Sequence, residues 1–216
     1  MKGGAGRFFR HGDNKTVQLD PPLITGGGQI WDAIKGRRSI RNFERVSIAR
    51  GEISQLLWAS QGITAKIRQS NYRAAPSAGA LYPIETLLVV NRAEGIEPGI
   101  YHYQTEQHAL ALVKRGDFGS ALARAALNQH FIEEAALVFA WLAVFERSKR
   151  VYRERAYQYI FLEGGHIAQN LALAAVALGL GSCQVGAYHD DEVNDLFGLD
   201  GIGEKVIYLT PVGKPR

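Results

Sequence analysis

The run Ala136 to Phe145, ALVFAWLAVF, carries no charge, and the indole of Trp141 is its one side-chain hydrogen-bond donor. No side of it is polar, so whatever it forms must be covered all round. Its β-branched and aromatic content suits a central strand buried on both faces, although a buried helix satisfies the same pattern. A chain of 216 residues can supply that cover. The length fits one domain with a sizeable core, or a domain with a short arm. The hydrophobic share of 46% and charged share of 21% are those of an ordinary soluble globular protein. No stretch of eighteen apolar residues occurs, because Gln169 and Asn170 interrupt Ile167–Leu180, so no membrane span is expected.

Around this run, helices and strands alternate without a regular βαβ repeat, which points to α+β rather than a doubly wound sheet. Residues 1–29, rich in glycine and polar residues with Pro21–Pro22 and Gly26–Gly28, are expected to be an arm with little regular structure. The first of them, MKGGAGRFFRHGDNK, lack the apolar centre of a signal peptide or anchor. The domain proper is expected over 30–216. A short helix is predicted at Ile30–Lys35, stopped by Gly36, and an amphipathic one over Ser47–Ser60, with Gly62 as its C-terminal glycine. Thr86–Val90 reads as a buried strand, and Gly99–Tyr103 with Ala109–Val113 as a hairpin. Helices are expected at Phe118–Leu127 and Asp190–Leu196, and the longest one over Tyr152–Leu178, apolar nearly all round at HIAQNLALAAVAL. Ser182–Ala187 reads as a short strand or extended loop and Val206–Leu209 as the last strand.

Net charge is +4 and the isoelectric point about 9.2. That mild excess suits an anionic ligand such as a phosphorylated cofactor. Its arginines form separate small groups rather than a stripe, so nucleic acid is not expected. The single cysteine, Cys183, allows no intrachain disulfide and suits a reducing compartment such as the cytoplasm.

Three segments carry chemistry. In RRSIR, Arg37, Arg38, Ser39 and Arg41 place three positive charges and a hydroxyl within five residues, a donor set suited to phosphate oxygens, although a solvated basic loop has the same composition. In PSAGALYP, Pro76, Ser77, Ala78 and Gly79 have so little side-chain bulk that backbone can lie flat against a planar ligand; a tight loop packed on the core is the plainer reading. In GLGSCQVGAY, a helix ends and Gly186–Ala187 form a small-residue step where a backbone N–H can serve a ligand without adding a titratable group. Cys183 reads as a buried small hydrophobe. Glu163 and His166, a helical turn apart, read as a satisfied buried pair rather than a proton pair. His189–Asp190–Asp191 reads as a helix start with acids in its first turn rather than a metal site.

Taken in order, RRSIRNF, PSAGALYP, EGGHIAQNLALAAVALGLGSCQVGAY and the terminal TPVGKP resemble the nitroreductase superfamily. The branch they resemble is that of the SagB/ThcOx-type dehydrogenases, which includes azoline oxidases of thiazole and oxazole peptide synthesis. The resemblance covers about Ile30 to Pro215. It implies a mixed sheet flanked by helices, an intertwined homodimer, and FMN at the subunit interface. By the same resemblance, Arg37, Arg38, Ser39 and Arg41 hold the phosphate and ribityl end. Pro76, Ser77, Ala78 and Gly79 line the isoalloxazine from the partner chain. Val185, Gly186 and Ala187 face its N5 edge, and Lys214 and Arg216 stand where family members place a late phosphate contact.

Two departures bear on substrate. Ala80 stands where many nitroreductases have an asparagine that bonds the flavin. The azoline oxidases carry a lysine–tyrosine pair whose tyrosine matches Tyr152, but Val151 replaces the lysine, so a proton relay built on the pair is incomplete. The resemblance therefore implies an FMN-dependent oxidoreductase taking a hydride from NAD(P)H and reducing a small oxidised acceptor, a nitroaromatic, quinone or flavin. Tyr152, Gly186 and Ala187 are its candidate catalytic positions. The alternatives are an azoline dehydrogenase and a non-catalytic flavin-binding module.

Overall fold

In the computed structural model, which describes residues 15–68 and 70–216, the chain runs β1 (Thr16–Gln18), α1 (Ile30–Gly36), α2 (Arg50–Gln61), β2 (Ile63–Ile67), β3 (Ser70–Arg73), β4 (Ile84–Val90), β5 (Gly99–Gln104) and β6 (Ala109–Arg115). It continues through α3 (Gly119–Ala125), α4 (Phe131–Glu134), β7 (Leu137–Val144), α5 (Phe145–Tyr152), α6 (Arg155–Ala177), β8 (Gly181–Ser182), α7 (Asp190–Phe197) and β9 (Glu204–Gly213). The main sheet has 7 strands in the order β1-β6-β5-β4-β7-β9-β8, and β2 and β3 form a separate 2-stranded hairpin. Its ladders are antiparallel; isolated parallel bridges join Ser39 to Ser182 at the β8 edge and Ile48 to Ala93.

The apolar run is the central strand. All 8 residues of β7 are buried, and strand alternation divides them between two cores. Leu137, Phe139, Trp141 and Ala143 face the core covered by α2 and α6, with Leu57, Ile160, Ile167 and Leu171. Val138, Ala140 and Leu142 face the core covered by α3, α4 and α7, with Leu122, Ile132, Val193 and Phe197. Each large side chain so buried contributes about 1.5–3 kcal/mol. The indole of Trp141 donates to the Thr210 hydroxyl at 3.0 Å, so its polar atom costs nothing.

The α+β sheet flanked by helices is as expected, with corrections at the ends of elements. The expected arm contains β1, which pairs with β6, while residues 19–29 have no regular structure. Its residues 1–14, and with them the reading of the N-terminus, lie outside the described residues. Helix α2 begins at Arg50 rather than Ser47, and Gly62 caps it in extended backbone. The helix expected from Tyr152 begins at Arg155 as α6, and Tyr152 instead ends α5, a separate helix from Phe145 that was not expected. Arg153, at φ 50 and ψ −131, turns the chain between them. By length and composition α6 is, among the described residues, the one helix able to cross a membrane. Here its stripe of Ala156, Ile160, Gly164, Ile167, Ala168 and Leu171 packs into the core.

Candidate active site

RRSIRNF runs as an extra strand-like segment along the β8–β9 edge. The Ile40 N–H donates to the Ser182 carbonyl at 2.9 Å, Glu44 N–H to Lys214 at 2.9 Å, and Arg216 N–H to Asn42 at 3.1 Å. Two glycines make this approach possible. A Cβ on Gly181 would meet Ile40 at 2.9 Å, and one on Gly213 would meet the Phe43 ring at 2.9 Å. Phe43 is fully buried and pins the segment to the sheet. The outcome is that Arg37, Arg38, Ser39 and Arg41 share one edge with Lys214 and Arg216, although the sequence separates them. Among the described residues none of these cations has a carboxylate within ion-pair distance. Arg38 turns back onto the Lys35 and Arg37 carbonyls, at 3.0 and 2.7 Å, and Arg41 lies 6.0 Å from the Phe131 ring. This donor set, basic and unneutralised, fits a phosphate.

Ser182–Ala187 links this edge to the Gly186 step. Burial pushes the Cys183 thiol up, against the pull of Arg41 and Ser39, so it is an inert buried side chain. Val185 has both backbone groups bonded to Leu209, at 2.8 and 3.0 Å, and its side chain in the core, so its part is to place the residues that follow. Gly186 and Ala187 are exposed, and among the described residues their N–H groups have no acceptor. Gly186 lines a cleft of about 230 Å³ with Phe161, Gly164, Gly165, Ile207 and Tyr208.

The PSAGALYP loop packs against α5 and α6. Gly79, Ala80 and Tyr82 all have positive φ, at 63, 52 and 46. Such backbone in two non-glycine residues persists only where surroundings fix it. Here the Ser77 hydroxyl accepts the Tyr82 N–H at 2.9 Å, the Tyr82 hydroxyl accepts the Arg73 N–H at 3.1 Å, and Arg147 donates to the Tyr82 carbonyl at 2.8 Å. The Tyr152 hydroxyl stands where a Gly79 Cβ would lie 2.7 Å from it. Tyr152 therefore touches the loop from the end of α5, and its ring packs edge-on to Tyr159 at 4.9 Å. Its neighbour Val151 is exposed.

Beneath the loop lies a charged network. Arg147 pairs with Glu85 at 2.5 Å, and His102 lies 2.9 Å from the other Glu85 oxygen. Burial alone would raise the Glu85 carboxyl, but the His102 hydrogen bond and the Arg147, His102 and Arg73 charges hold it down at about 2. Glu163, only 3% exposed, shows the opposite balance. Burial pushes its carboxyl up to about 7, against the Ser77 hydroxyl and the Arg73 and Arg147 charges. Glu163 and His166 are not a buried pair, because His166 is exposed.

The match to known families decides what this arrangement belongs to: residues 34–214 match the family described as the nitroreductase family. The chain belongs to the nitroreductase family. It is 38% identical over 204 residues to a nitroreductase-like protein of Methanocaldococcus jannaschii, covering 94% of this chain and 98% of that one. A nitroreductase-like structure from Anabaena variabilis superimposes with a TM-score of 0.80 at 29% identity, over 94% of this chain and 42% of that chain. A chain of the Escherichia coli microcin synthetase McbBCD complex, solved with truncated pro-microcin B17 bound, gives a TM-score of 0.72 at 25% identity, over 94% of this chain and 79% of that chain. The nitroreductase is a flavin-dependent oxidoreductase related to the SagB-type dehydrogenases.

The sequence motifs named the basic edge, the small-residue loop and the Gly186 step of this nitroreductase, but not the layer that supports them. Arg73, Glu85, Arg147 and Glu163 come from β3, β4, α5 and α6, and no spacing joins them. The one usable signal was compositional: Glu85 and Glu163 are acids inside otherwise apolar stretches, which calls for a buried partner.

Proposed function

We propose that this nitroreductase binds FMN as a homodimer and passes a hydride from NAD(P)H to a small oxidised acceptor of the nitroaromatic, quinone or flavin class. The observation that carries the reading is the basic edge, where backbone pairing sets the segment of Arg37, Ser39 and Arg41 alongside Lys214 and Arg216, and among the described residues none of these cations has an ion-paired carboxylate. Bound there, FMN would supply the two-electron chemistry, accepting a hydride and giving it up again. Arg37, Arg41 and Ser39 would hold the phosphate, with Lys214 and Arg216 closing it. Pro76, Ser77, Ala78 and Gly79 of the other protomer would lie along the ring, and the N–H groups of Gly186 and Ala187 would donate to its edge. The Phe161–Tyr208 cleft would exclude water from one side of the reacting atoms.

Exposed apolar side chains support the dimer. Trp31 is 74% and Phe161 54% exposed, with Ile30, Ile34 and Leu162 beside them along α1 and α6. A cytoplasmic setting goes with this reading. Mass analysis of the cofactor released from purified protein tests it: FMN is expected, and FAD or no flavin refutes it. The likeness to the microcin synthetase chain and the contact of Tyr152 with Gly79 favour a second reading, azoline oxidation on a peptide. Flavin reduction driven by an azoline peptide would select it; Val151, lacking an amine, speaks against it.

A further inference from the structure

The ladder between β7 and β9 carries a bulge. Trp141 pairs with Tyr208 and Leu142 with Val206, which leaves Ile207 as an extra residue in β9. Val206 and Leu209 face the core under α3, α4 and α7, while Ile207 and Tyr208, consecutive in the chain, both pack on the α6 side. A regular strand would send one of the two to the opposite face. Re-aimed together, they form one wall of the cleft of about 230 Å³ that Gly186 shares with Phe161, Gly164 and Gly165.

The two glycines of α6 differ in what they do there. A Cβ on Gly164 would meet Ile207 Cδ1 at 3.0 Å, so this glycine seats the bulged side chain. A Cβ on Gly165 would meet nothing within 4 Å. Among the described residues, then, no contact calls for so poor a helix former inside the 23-residue α6; its effect is to leave that wall of the cleft as bare backbone. Of the residues lining the cleft, Tyr208 alone has a side-chain hydrogen-bond donor. Its phenol is half-buried, and among the described residues it has no hydrogen-bond partner. The phenol of Tyr188, on the other side of β9, donates to the Val206 carbonyl at 3.0 Å. Burial pushes the Tyr208 phenol up, so it keeps its proton at neutral pH. A Cβ on Gly186 would lie 3.8 Å from Tyr208 Cε2, so a ring edge that reaches the Gly186 N–H also reaches Tyr208.

We infer that Tyr208 is a cofactor-tuning residue, its phenol donating a hydrogen bond to the polar edge of a flavin ring seated against Gly165 and Gly186. The inference rests on the reading of this site as flavin-binding. The carbonyl and ring-nitrogen edge of a flavin is rich in acceptors, and reduction adds negative charge to it. A hydrogen bond to a charged acceptor is about twice as strong as one to a neutral acceptor. Tyr208 therefore holds the reduced ring more tightly than the oxidised one and raises the potential of the bound flavin. The backbone N–H groups of Gly186 and Ala187 act in the same sense, but only the phenol can be removed by substitution.

The test uses the full chain, stripped of flavin and titrated with FMN. In Tyr208→Phe the dissociation constant of oxidised FMN, followed by flavin fluorescence, should rise about fivefold, the loss of one neutral hydrogen bond. That of reduced FMN should rise about fiftyfold, the loss of one to a charged acceptor. The tenfold difference lowers the two-electron midpoint potential of the variant by about 30 mV. In Gly165→Leu the new side chain enters the cleft, and FMN affinity should fall about tenfold or more. The flavin-free Gly165→Leu protein should melt no lower than the wild type, because leucine suits a helix better than glycine. An unchanged potential in Tyr208→Phe overturns the inference while leaving FMN binding standing. So does a Gly165→Leu variant that shifts dimerisation but keeps its flavin affinity, which would make a second copy of the chain the occupant of the cleft. Failure of the wild type to bind FMN overturns the cofactor reading itself, and this inference with it.

Discussion

Replacing Glu163 by glutamine removes a titratable group from the core at almost no change in shape, and the pH dependence of stability should register it. The carboxyl, ordinarily near 4.5, is raised to about 7 in the folded chain. Below the lower value both folded and unfolded states hold the proton, and the group contributes nothing. Between the two values the folded state keeps a proton that the unfolded state has released, so stability falls as pH rises through this window. Above the upper value the whole cost of burying the charge is present. At about 1.4 kcal/mol for each pH unit between the two values, that cost is about 3 kcal/mol. The neutral amide of the Glu163→Gln variant carries no such cost. Urea unfolding of both proteins between about pH 5 and pH 8, at matched protein concentration, should show the variant gaining on the wild type by about 2.5 kcal/mol, the part of that cost that develops above pH 5. For a domain of this size that is a shift in relative melting temperature on the order of 10 °C. Parallel curves across the range would refute the assignment, because every other titrating group is common to both proteins and cancels.

Arg37→Ala should weaken FMN binding by about 1.5–3 kcal/mol, read by fluorescence titration, while the exposed Arg150→Ala leaves it unchanged. Arg147 is unsuitable as that control, because its removal strands Glu85 and should cost about 3–5 kcal/mol of stability. Gly79→Ala forces alanine into left-handed backbone and onto the Tyr152 hydroxyl, and should destabilise by about 1–2 kcal/mol. In Tyr152→Phe the clash is relieved, so the double variant should lose less than the two singles together; strict additivity would show that the contact is absent. With FMN bound, Tyr152→Phe should keep donor-driven flavin reduction and slow turnover with acceptor, by on the order of a hundredfold if the phenol transfers a proton. Unchanged turnover across several acceptors would leave Tyr152 a packing residue of the loop.

What the sequence made legible follows from the range over which its signals act. The central strand was readable because no residue of Leu137–Val144 tolerates water, a property visible within the run itself. The hairpin β2–β3 was not, because its residues are mostly exposed and its pairing rests on backbone bonds that ITAKI and SNYR do not advertise. The break between α5 and α6 escaped because the residues on both sides have helical propensity and only Arg153 departs from it. The same contrast holds in the site. RRSIR and PSAGALYP are contiguous, so composition exposes them. The Gly181–Ile40 and Gly213–Phe43 contacts that bring the basic groups together join residues more than a hundred positions apart, and a single sequence carries no record of that pairing.

The same distance in sequence hides the charge beneath the loop, and there the sum matters more than any pair. Arg73 and Arg147 face Glu85 and Glu163, so the cluster is formally neutral when Glu163 is ionised and carries one net positive charge when it is protonated. In a buried setting such a charge acts over several ångströms with little screening. Under the proposed assignment, a ring held by Pro76–Gly79 that gains negative charge on reduction meets that positive charge only in the protonated state. Lower pH should therefore make the ring easier to reduce through the cluster as well as through the ring's own protonation. A fully ionised Glu–Arg pair at this position would hold the loop as firmly, but it would fix the local charge. The incomplete partnering of Glu163, with Oε1 left bare, keeps its protonation within reach of neutral pH, and a second acid bonded as Glu85 is, by Arg147 and His102 together, has no such freedom.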